Sequence, residues 1–157
     1  MQSRSFISQK LSVRIPRPPS TYFEGSEQPV THIDFTQPYD EATRRMLVDA
    51  AGACGVPVFD GGTYACTQGP RLETRAEIDR LERDGATMVG MTGMPEAALA
   101  RELKIGYGAL AVVVNPAAGR GSSALAVSME EISHVMEGAM EKVRWVVAKV
   151  VERHAGP

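Results

Sequence analysis

Apolar residues recur every three to four positions in four stretches of the chain, and this spacing places them on one face of an α-helix. The stretches cover residues 41–54, 74–84, 95–103 and 128–150. Each is preceded or opened by residues that stabilise a helix start. These residues are Asp40, Thr74 with Glu77, Pro95 with Glu96, and Ser128 with Glu131. The pattern therefore predicts four helices.

Shorter apolar runs between these stretches predict strands. Residues 30–35 alternate in polarity, residues 56–68 give two short strands about a glycine turn, and residues 86–91 form a short apolar strand. Residues 107–115 form the most apolar run and show no alternation, which is typical of a central strand covered on both faces. Strands that alternate with helices predict an α/β fold whose sheet is covered by helices on both faces.

The first twenty residues differ from the remainder of the chain. They carry four basic residues and no acidic one, and they close with the Pro-rich segment IPRPPS. This composition predicts a disordered basic tail over residues 1–20 and a folded domain over residues 21–157. A transit peptide is the alternative interpretation of the tail.

The chain has a net charge of −2 and an isoelectric point near 5.9. This balance does not attract phosphate backbones or an anionic membrane surface, so it argues against nucleic acid and membrane partners. No apolar run reaches the roughly 20 residues that span a bilayer. Cys54 and Cys66 lie in apolar stretches and are expected to be reduced thiols in a cytoplasmic protein. A redox pair formed by these two thiols in a generic α/β domain is the alternative.

Three segments that follow predicted strands carry the residues of chemical interest. They are CTQGPRLET at residues 66–74, VGMTGMPE at 89–96 and VVNPAAG at 113–119. Ligands of α/β proteins bind where strands end, so we expect the three segments to meet at one edge of the sheet.

These segments, in this order and spacing, resemble the second half of the trimeric purine nucleoside phosphorylase family, which includes the methylthioadenosine and methylthioinosine phosphorylases. The resemblance extends in weaker form from about Thr21 to the end of the chain and includes VTHIDFTQPYD. It implies a purine nucleoside phosphorylase fold with a central mixed sheet, truncated at the N terminus, so that residues 21–157 are the C-terminal two-thirds. It also implies a homotrimer when the protein is intact.

The resemblance implies a reaction as well. In this family phosphate attacks the anomeric carbon of a purine nucleoside, which releases the base and leaves a sugar 1-phosphate. The partners are then a purine nucleoside and inorganic phosphate as co-substrate, with neither a cofactor nor a metal. Because the purine becomes anion-like as it leaves, the site must offer it a hydrogen-bond donor.

Two polar residues match the family positions that recognise the base. Asn115 matches the catalytic position, which is an amide in enzymes for 6-oxopurines and a carboxylate in enzymes for adenine; an amide donates toward O6 and N7 of hypoxanthine, whereas a carboxylate only accepts. Glu73 accepts from N1–H in the same scheme. Both residues indicate a 6-oxopurine nucleoside, with 5′-methylthioinosine favoured. The alternatives are a strand-end turn role for Asn115 and a first-turn helix carboxylate for Glu73.

Four further positions match contacts to the base, the ribose and the phosphate. Leu72 stands where a stacking phenylalanine is common in the family, so the base loses an aromatic face there. Val89 and Met91 match apolar contacts to the base and ribose, and core packing is their alternative. Thr92 matches a hydroxyl that lies near the ribose and the phosphate.

Met129 and His32 complete the set that the resemblance implies. Met129 is apolar where members that accept a 5′-hydroxyl carry histidine, so it suits a 5′-methylthio group. His32 matches a position that reaches into the neighbouring subunit's site in the family's trimers. A core methionine and a structural histidine are the alternatives. His134 and His154 have no partners at metal-ligand spacing and are assigned to the surface of the last helix.

The family's phosphate-binding elements do not occur upstream of Thr21. Residues 1–20 contain no glycine and no histidine, whereas the family's first half carries a glycine-rich loop and an Arg-His pair. We therefore expect the chain alone to be impaired in catalysis and to leave apolar surface uncovered. A noncatalytic purine-binding or oligomerising fragment of the same fold is the alternative function.

Overall fold

The computed structural model describes residues 4–7, 10–13, 20–23 and 29–155. The strands in these ranges are β1 (Arg4–Ile7), β2 (Lys10–Val13), β3 (Val58–Asp60), β4 (Thr63–Cys66), β5 (Met88–Gly90) and β6 (Leu110–Val113). The α-helices are α1 (Glu41–Ala53), α2 (Arg75–Arg83), α3 (Glu96–Glu102) and α4 (Met129–His154). Each of the helices predicted from the sequence is therefore present.

The helices begin at the predicted capping residues. The carboxylate of Asp40 accepts from a backbone N–H in the first turn of α1 at 2.7 Å. Thr74 and Glu77 form the complete predicted capping box of α2, because each side chain accepts from the other's backbone N–H. At α4, the Ser128 hydroxyl accepts from the N–H of Glu131 at 3.3 Å, which confirms that half of the predicted box.

The strands pair in two three-stranded sheets. In the order β3-β1-β6, strand β1 runs parallel to β3 and antiparallel to β6, so this sheet is mixed. In the order β2-β4-β5, both pairings are parallel. Parallel strands connected through helices are the mark of an α/β protein, and the predicted fold class is confirmed.

Two apolar clusters join the helices to the sheets. The first joins α1 and α4 to the mixed sheet and is formed by Ala50, Ala51, Val56 and Val146. The second joins α2 to the parallel sheet and is formed by Ala65, Ile78 and Leu81. Because α2 packs on β4, the loop between them is held at the end of that strand.

The structure differs from the predicted disordered tail in two places. Residues 4–7 and 10–13 are the strands β1 and β2, while residues 1–3, 8–9 and 14–19 lie outside the described residues. Strand β1 pairs with both β3 and β6, and β2 pairs with β4. These partners lie far along the sequence, and a compositional argument about the first twenty residues does not include them.

Two predictions about strands are wrong. Residues 30–35 are irregular, and nearby the Asp34 carboxylate accepts from the backbone N–H of Thr36 at 3.0 Å. Such a local side-chain bond competes with strand pairing. The hydrogen bond from the Thr36 hydroxyl, followed by that from the Thr36 backbone N–H, lowers the pKa of Asp34. Strand β6 was predicted to be central, but among the described strands it pairs with β1 alone, because β1 takes the middle position.

An apolar stripe on α4 is exposed. It contains Met129, Met136, Met140, Val147 and Val151, with exposed fractions of 38–64%. Spacings of seven and four keep these residues on one helix face, beside the face that carries buried Val146. This stripe is uncovered apolar surface of the kind expected from the sequence. In the described part of the chain, no helix combines the length and the apolar character of a membrane span.

Removing the cap of α1 should destabilise the fold in a pH-dependent manner. Asp40→Ala loses two hydrogen bonds from Thr43 and should cost about 1 kcal/mol at pH 7. The backbone N–H and then the hydroxyl of Thr43 lower the pKa of Asp40 below its ordinary 3.8. A depressed pKa in the folded state contributes stability above the unfolded pKa, and this is lost as the pH falls through the folded pKa.

Urea unfolding of the wild type and Asp40→Ala at several pH values measures this effect. The difference in unfolding free energy should be full at pH 7 and shrink as the pH falls below 3.8, the ordinary pKa of the group. Asp40→Asn keeps a capping oxygen and should retain most of the stability without the pH dependence. A difference between wild type and Asp40→Ala that stays constant with pH would contradict the ionic part of the argument.

Candidate functional site

Strands β4 and β5 end side by side at one edge of the parallel sheet. Cys66 is opposite Gly90 in the register. The backbone N–H of Thr67 donates to the carbonyl oxygen of Gly90 at 2.8 Å, which continues the pairing by one residue. The loops that begin at Thr67 and Met91 therefore leave the sheet as neighbours, as expected from their positions after parallel strands.

Glu73 is half-buried and is held by Thr67. The Thr67 hydroxyl donates to Oε1 of Glu73, and the same hydroxyl oxygen lies 3.3 Å from the carbonyl oxygen of Gly90. The carboxylate is thus attached to the ends of both strands through one side chain.

Glu77 connects the two ends of the segment Arg71–Thr74. Both of its carboxylate oxygens accept from the Arg71 guanidinium at 2.7 Å, and Oε2 also accepts from the Thr74 N–H at 2.8 Å. The Arg71 hydrogen bond, followed by that of Thr74, holds the pKa of Glu77 far below its usual range, and Glu77 in turn raises the pKa of Arg71. Bidentate pairs of this kind fix geometry. Leu72 and Glu73 lie between the two fixed ends.

A cavity of about 310 Å³ opens beside this segment. Its walls are residues 67–69, Arg71 and Glu73 from the loop and Glu77, Arg80 and Leu81 from α2. The volume is at the lower end of that found for small-molecule sites. The lining presents carboxylates that accept hydrogen bonds and guanidinium groups that donate them. Among the site residues predicted from the sequence, Glu73 belongs to this lining and the others do not.

Thr92 is fixed by Tyr64 on β4. The phenolic oxygen of Tyr64 lies 3.1 Å from the Thr92 hydroxyl and accepts from the Thr92 N–H at 3.2 Å. The tyrosine ring crosses Gly90, where any β-carbon would overlap its phenolic oxygen. The end of β5 therefore presents Thr92 in a defined orientation, although its side chain is exposed.

Val89 precedes the last residue of β5, and Met91 follows it. A β-carbon at Gly69 would lie 2.6 Å from the Met91 sulfur, so the loop after β4 rests directly on this methionine. Val89 packs against the cluster of Ala65, Ile78 and Leu81, which agrees with the core-packing alternative for this residue.

The loop after β6 lies against α2. Ala117 and Ala118 pack against the cluster that contains Ile78 and Leu81. A β-carbon at Gly119 would lie 2.7 Å from the side chain of Arg75, the first residue of α2. The loop that carries Asn115 therefore approaches the helix that follows Glu73. Asn115 itself is half-buried, and its Nδ2 donates to the carbonyl oxygen of Pro116 at 2.7 Å.

The remaining predicted residues are exposed. Leu72 is 44% exposed and Met129 is 64% exposed, on the stripe of α4 described above. His32 lies in the irregular segment before α1 and is also exposed, as are His134 and His154. The core role that was the alternative for Met129 does not fit this exposure.

Both cysteines are free thiols, as predicted. Cys66 is buried in β4, and burial raises the pKa of its thiol. The Cys54 thiol lies 3.5 Å from the carbonyl oxygen of Trp145 on α4.

Three residues of the site were not singled out from the sequence: Tyr64, Thr67 and Arg71. Tyr64 acts across the pair of strands β4 and β5, and its contact with Thr92 becomes visible once their register is known. Thr67 lies six residues before Glu73, so their contact depends on the path of the loop. The Arg71 and Glu77 pair, also six residues apart, could have been suspected from opposite charges flanking a helix start.

Comparisons of the sequence with known proteins match the chain to phosphorylases. The sequence profile described as "Phosphorylase superfamily" matches residues 11–152. The chain is 56% identical over 131 residues to "Probable S-methyl-5'-thioinosine phosphorylase" from Pseudomonas syringae pv. tomato, covering 83% of this chain and 52% of that protein. It is 43% identical over 130 residues to "6-oxopurine nucleoside phosphorylase" from Pyrococcus furiosus, covering 80% and 48%.

A solved structure has the same fold. Methylthioadenosine phosphorylase from Schistosoma mansoni in complex with adenine superposes with a TM-score of 0.89 at 21% identity, covering 98% of this chain and 60% of that one. The chain thus spans about half the length of the curated relatives it matches.

Proposed function

Because the chain belongs to the phosphorylase superfamily, we propose that it supplies the base- and ribose-binding part of a nucleoside phosphorylase that acts on a 6-oxopurine, with 5′-methylthioinosine as the nucleoside. Relatives that are named for S-methyl-5'-thioinosine and for 6-oxopurine nucleosides support the choice of substrate. The observation that carries the proposal is the Glu73 carboxylate, which Thr67 holds on the wall of a cavity of about 310 Å³.

In the proposed complex, Glu73 accepts from N1–H of the base and Asn115 donates to N7. The Nδ2 group of Asn115 carries two hydrogens, and its bond to Pro116 uses one of them, so one is available to a ligand. As a phosphate oxygen bonds to the anomeric carbon, the bond from that carbon to N9 breaks and its electron pair goes to the purine. The donor on Asn115 stabilises the charge that develops there.

The other proposed contacts follow the substrate from base to sugar. Leu72, Val89 and Met91 supply apolar surface, and Thr92, oriented by Tyr64, contacts the ribose and the phosphate. We assign Met129 to the 5′-methylthio group and His32 to the neighbouring subunit's site in a homotrimer. Both are exposed in the single chain, so these two contacts depend on substrate or a partner covering them.

Three further parts of the proposal concern the whole protein. Inorganic phosphate is the co-substrate, and no cofactor is required. The cytoplasm is the proposed location, for which two free thiols are the support. The phosphorylase-derived domain is proposed to include strands β1 and β2 together with residues 21–157.

A noncatalytic purine-binding function is the second candidate. Among the matched positions, the one proposed to contact phosphate is Thr92, a neutral hydroxyl. A phosphate dianion bound without charged partners forgoes charge-assisted hydrogen bonds, which are the strong ones. Base binding can persist without them, whereas phosphorolysis requires the phosphate to be held against the sugar.

Titration and turnover together test the proposal. Isothermal titration with hypoxanthine and with adenine should give at least about tenfold tighter binding of hypoxanthine, because one charge-assisted hydrogen bond to Glu73 separates them. Hypoxanthine release from methylthioinosine, with and without phosphate, reports catalysis. Binding without turnover favours the second candidate. A preference for adenine contradicts the 6-oxopurine assignment, and Glu73→Gln is the control that should lose the preference.

A further inference from the structure

The two carboxylate oxygens of Glu73 have different roles. A hydroxyl has one hydrogen, so Thr67 donates either to Oε1 of Glu73 or to the carbonyl oxygen of Gly90. The contact with Glu73 is the shorter, since the Gly90 oxygen lies at 3.3 Å. The Thr67 backbone is itself fixed by its 2.8 Å bond to Gly90. Thr67 therefore ties Oε1 to the sheet and leaves Oε2 as the acceptor for a ligand in the cavity.

The backbone around Glu73 is held by a different residue. Glu77 binds the Arg71 guanidinium on one side of it and the Thr74 N–H on the other. Arg71 also donates to the carbonyl oxygen of Leu72 at 3.1 Å. One carboxylate on the first turn of α2 thus fixes the chain before and after Glu73.

We propose that Thr67 and Glu77 are positioning residues that set the base specificity of the site through Glu73, an inference that rests on the proposed function. Thr67 sets the direction of the carboxylate, and Glu77 sets the position of the backbone that carries it. A pre-oriented acceptor favours a base with N1–H, because the ligand does not have to order the acceptor on binding. Both residues also line the cavity, and their proposed effect on specificity is exerted through Glu73.

Two substitutions at Thr67 separate its hydroxyl from its packing. Thr67→Val keeps the shape and removes the donor, whereas Thr67→Ser keeps the donor. Titrations with hypoxanthine and adenine should show that Thr67→Val lowers the preference for hypoxanthine about tenfold and that Thr67→Ser restores it. A purely structural role would weaken both bases alike. Equal loss for both bases, or an unchanged preference in Thr67→Val, overturns the proposal for Thr67.

Glu77→Gln tests the second positioning residue. Glutamine can still accept from the Thr74 N–H, but the charge opposite Arg71 is lost, so the preference for hypoxanthine should fall by about threefold. Glu41→Gln is the matched control: Glu41 lies in the first turn of α1 and also accepts from one guanidinium, that of Arg44, with both carboxylate oxygens at 2.8 and 2.9 Å. The control should keep the wild-type preference. Equal effects of the two substitutions overturn the proposal for Glu77.

Titration of the wild-type chain distinguishes failure of the proposed function from failure of the inference about Thr67 and Glu77. A wild-type chain that binds neither base overturns the proposed function and the specificity inference with it. A wild-type chain that prefers hypoxanthine, together with Thr67→Val and Glu77→Gln variants that keep the same preference, overturns the inference alone.

Discussion

Asn115→Asp is expected to reverse the base preference of the site from hypoxanthine to adenine. In the proposed complex the amide donates toward N7 and O6 of hypoxanthine, whereas a carboxylate can only accept and meets O6 with like polarity. The exocyclic amine of adenine is a donor that a carboxylate accepts. Charge-assisted hydrogen bonds contribute about 1.5–3 kcal/mol each, so the ratio of the two affinities should change by about a hundredfold. Isothermal titration of both bases measures this ratio.

Asn115→Ala is the control for this reversal. It removes the donor without adding an acceptor, so it should weaken hypoxanthine binding and leave adenine binding unimproved. Both substitutions lose the Nδ2 bond to Pro116, so any effect of that bond on the loop is common to the two variants. An aspartate variant that still prefers hypoxanthine would show that Asn115 does not read the base.

Local signals in the sequence predicted the helices well. The capping box of Thr74 and Glu77 involves residues three apart, and α2 begins where it indicates. The burial of Ile78 and Leu81 follows from helical periodicity in the same segment. Gly85 closes α2 with a φ of +90°, a conformation that glycine adopts without strain. Each of these features depends on contacts within a few residues.

Strand pairing was less predictable because it depends on distant partners. The composition of the β1 and β2 segments predicts a basic tail. The two strands instead pair with β3, β4 and β6, which lie about fifty to one hundred residues further along the chain. The alternation of polarity at residues 30–35 predicts a strand, but this segment is irregular. Nearby, the backbone N–H of Thr36 donates a local hydrogen bond to the Asp34 carboxylate. The pattern of polar and apolar residues does not show which other strand a segment will pair with.

The candidate site likewise contains residues that were predicted and residues whose contacts depend on distant parts of the chain. Glu73 was predicted from a resemblance, and it does line a cavity. The residues that hold it were not predicted, since the Thr67 contact depends on the loop path and the Tyr64 contact with Thr92 depends on the register of β4 and β5. The sequence therefore predicts side chains that are proposed to carry the chemistry, whereas the side chains that orient them follow from the structure.

Val146→Asp is expected to unfold the chain. Val146 lies on α4, is fully buried and packs in one cluster with Ala50 and Ala51 of α1. The substitution loses about 1.5–3 kcal/mol of apolar burial and adds a carboxylate in an apolar cluster, so the total should exceed about 4 kcal/mol. A small domain has about 5–15 kcal/mol of stability in all. Circular dichroism with urea titration should show loss of helix or a midpoint shifted far toward zero denaturant.

Val147→Asp is the matched control, one residue away on the same helix. Val147 is 47% exposed and belongs to the exposed stripe of α4, so the same charge remains in water there. Its unfolding free energy should stay within about 0.5 kcal/mol of the wild type. The added charge also interrupts an exposed apolar surface, so the soluble fraction after expression should rise. Equal destabilisation by the two substitutions would contradict the packing of α4 described above, because burial in the cluster with Ala50 and Ala51 distinguishes Val146 from exposed Val147.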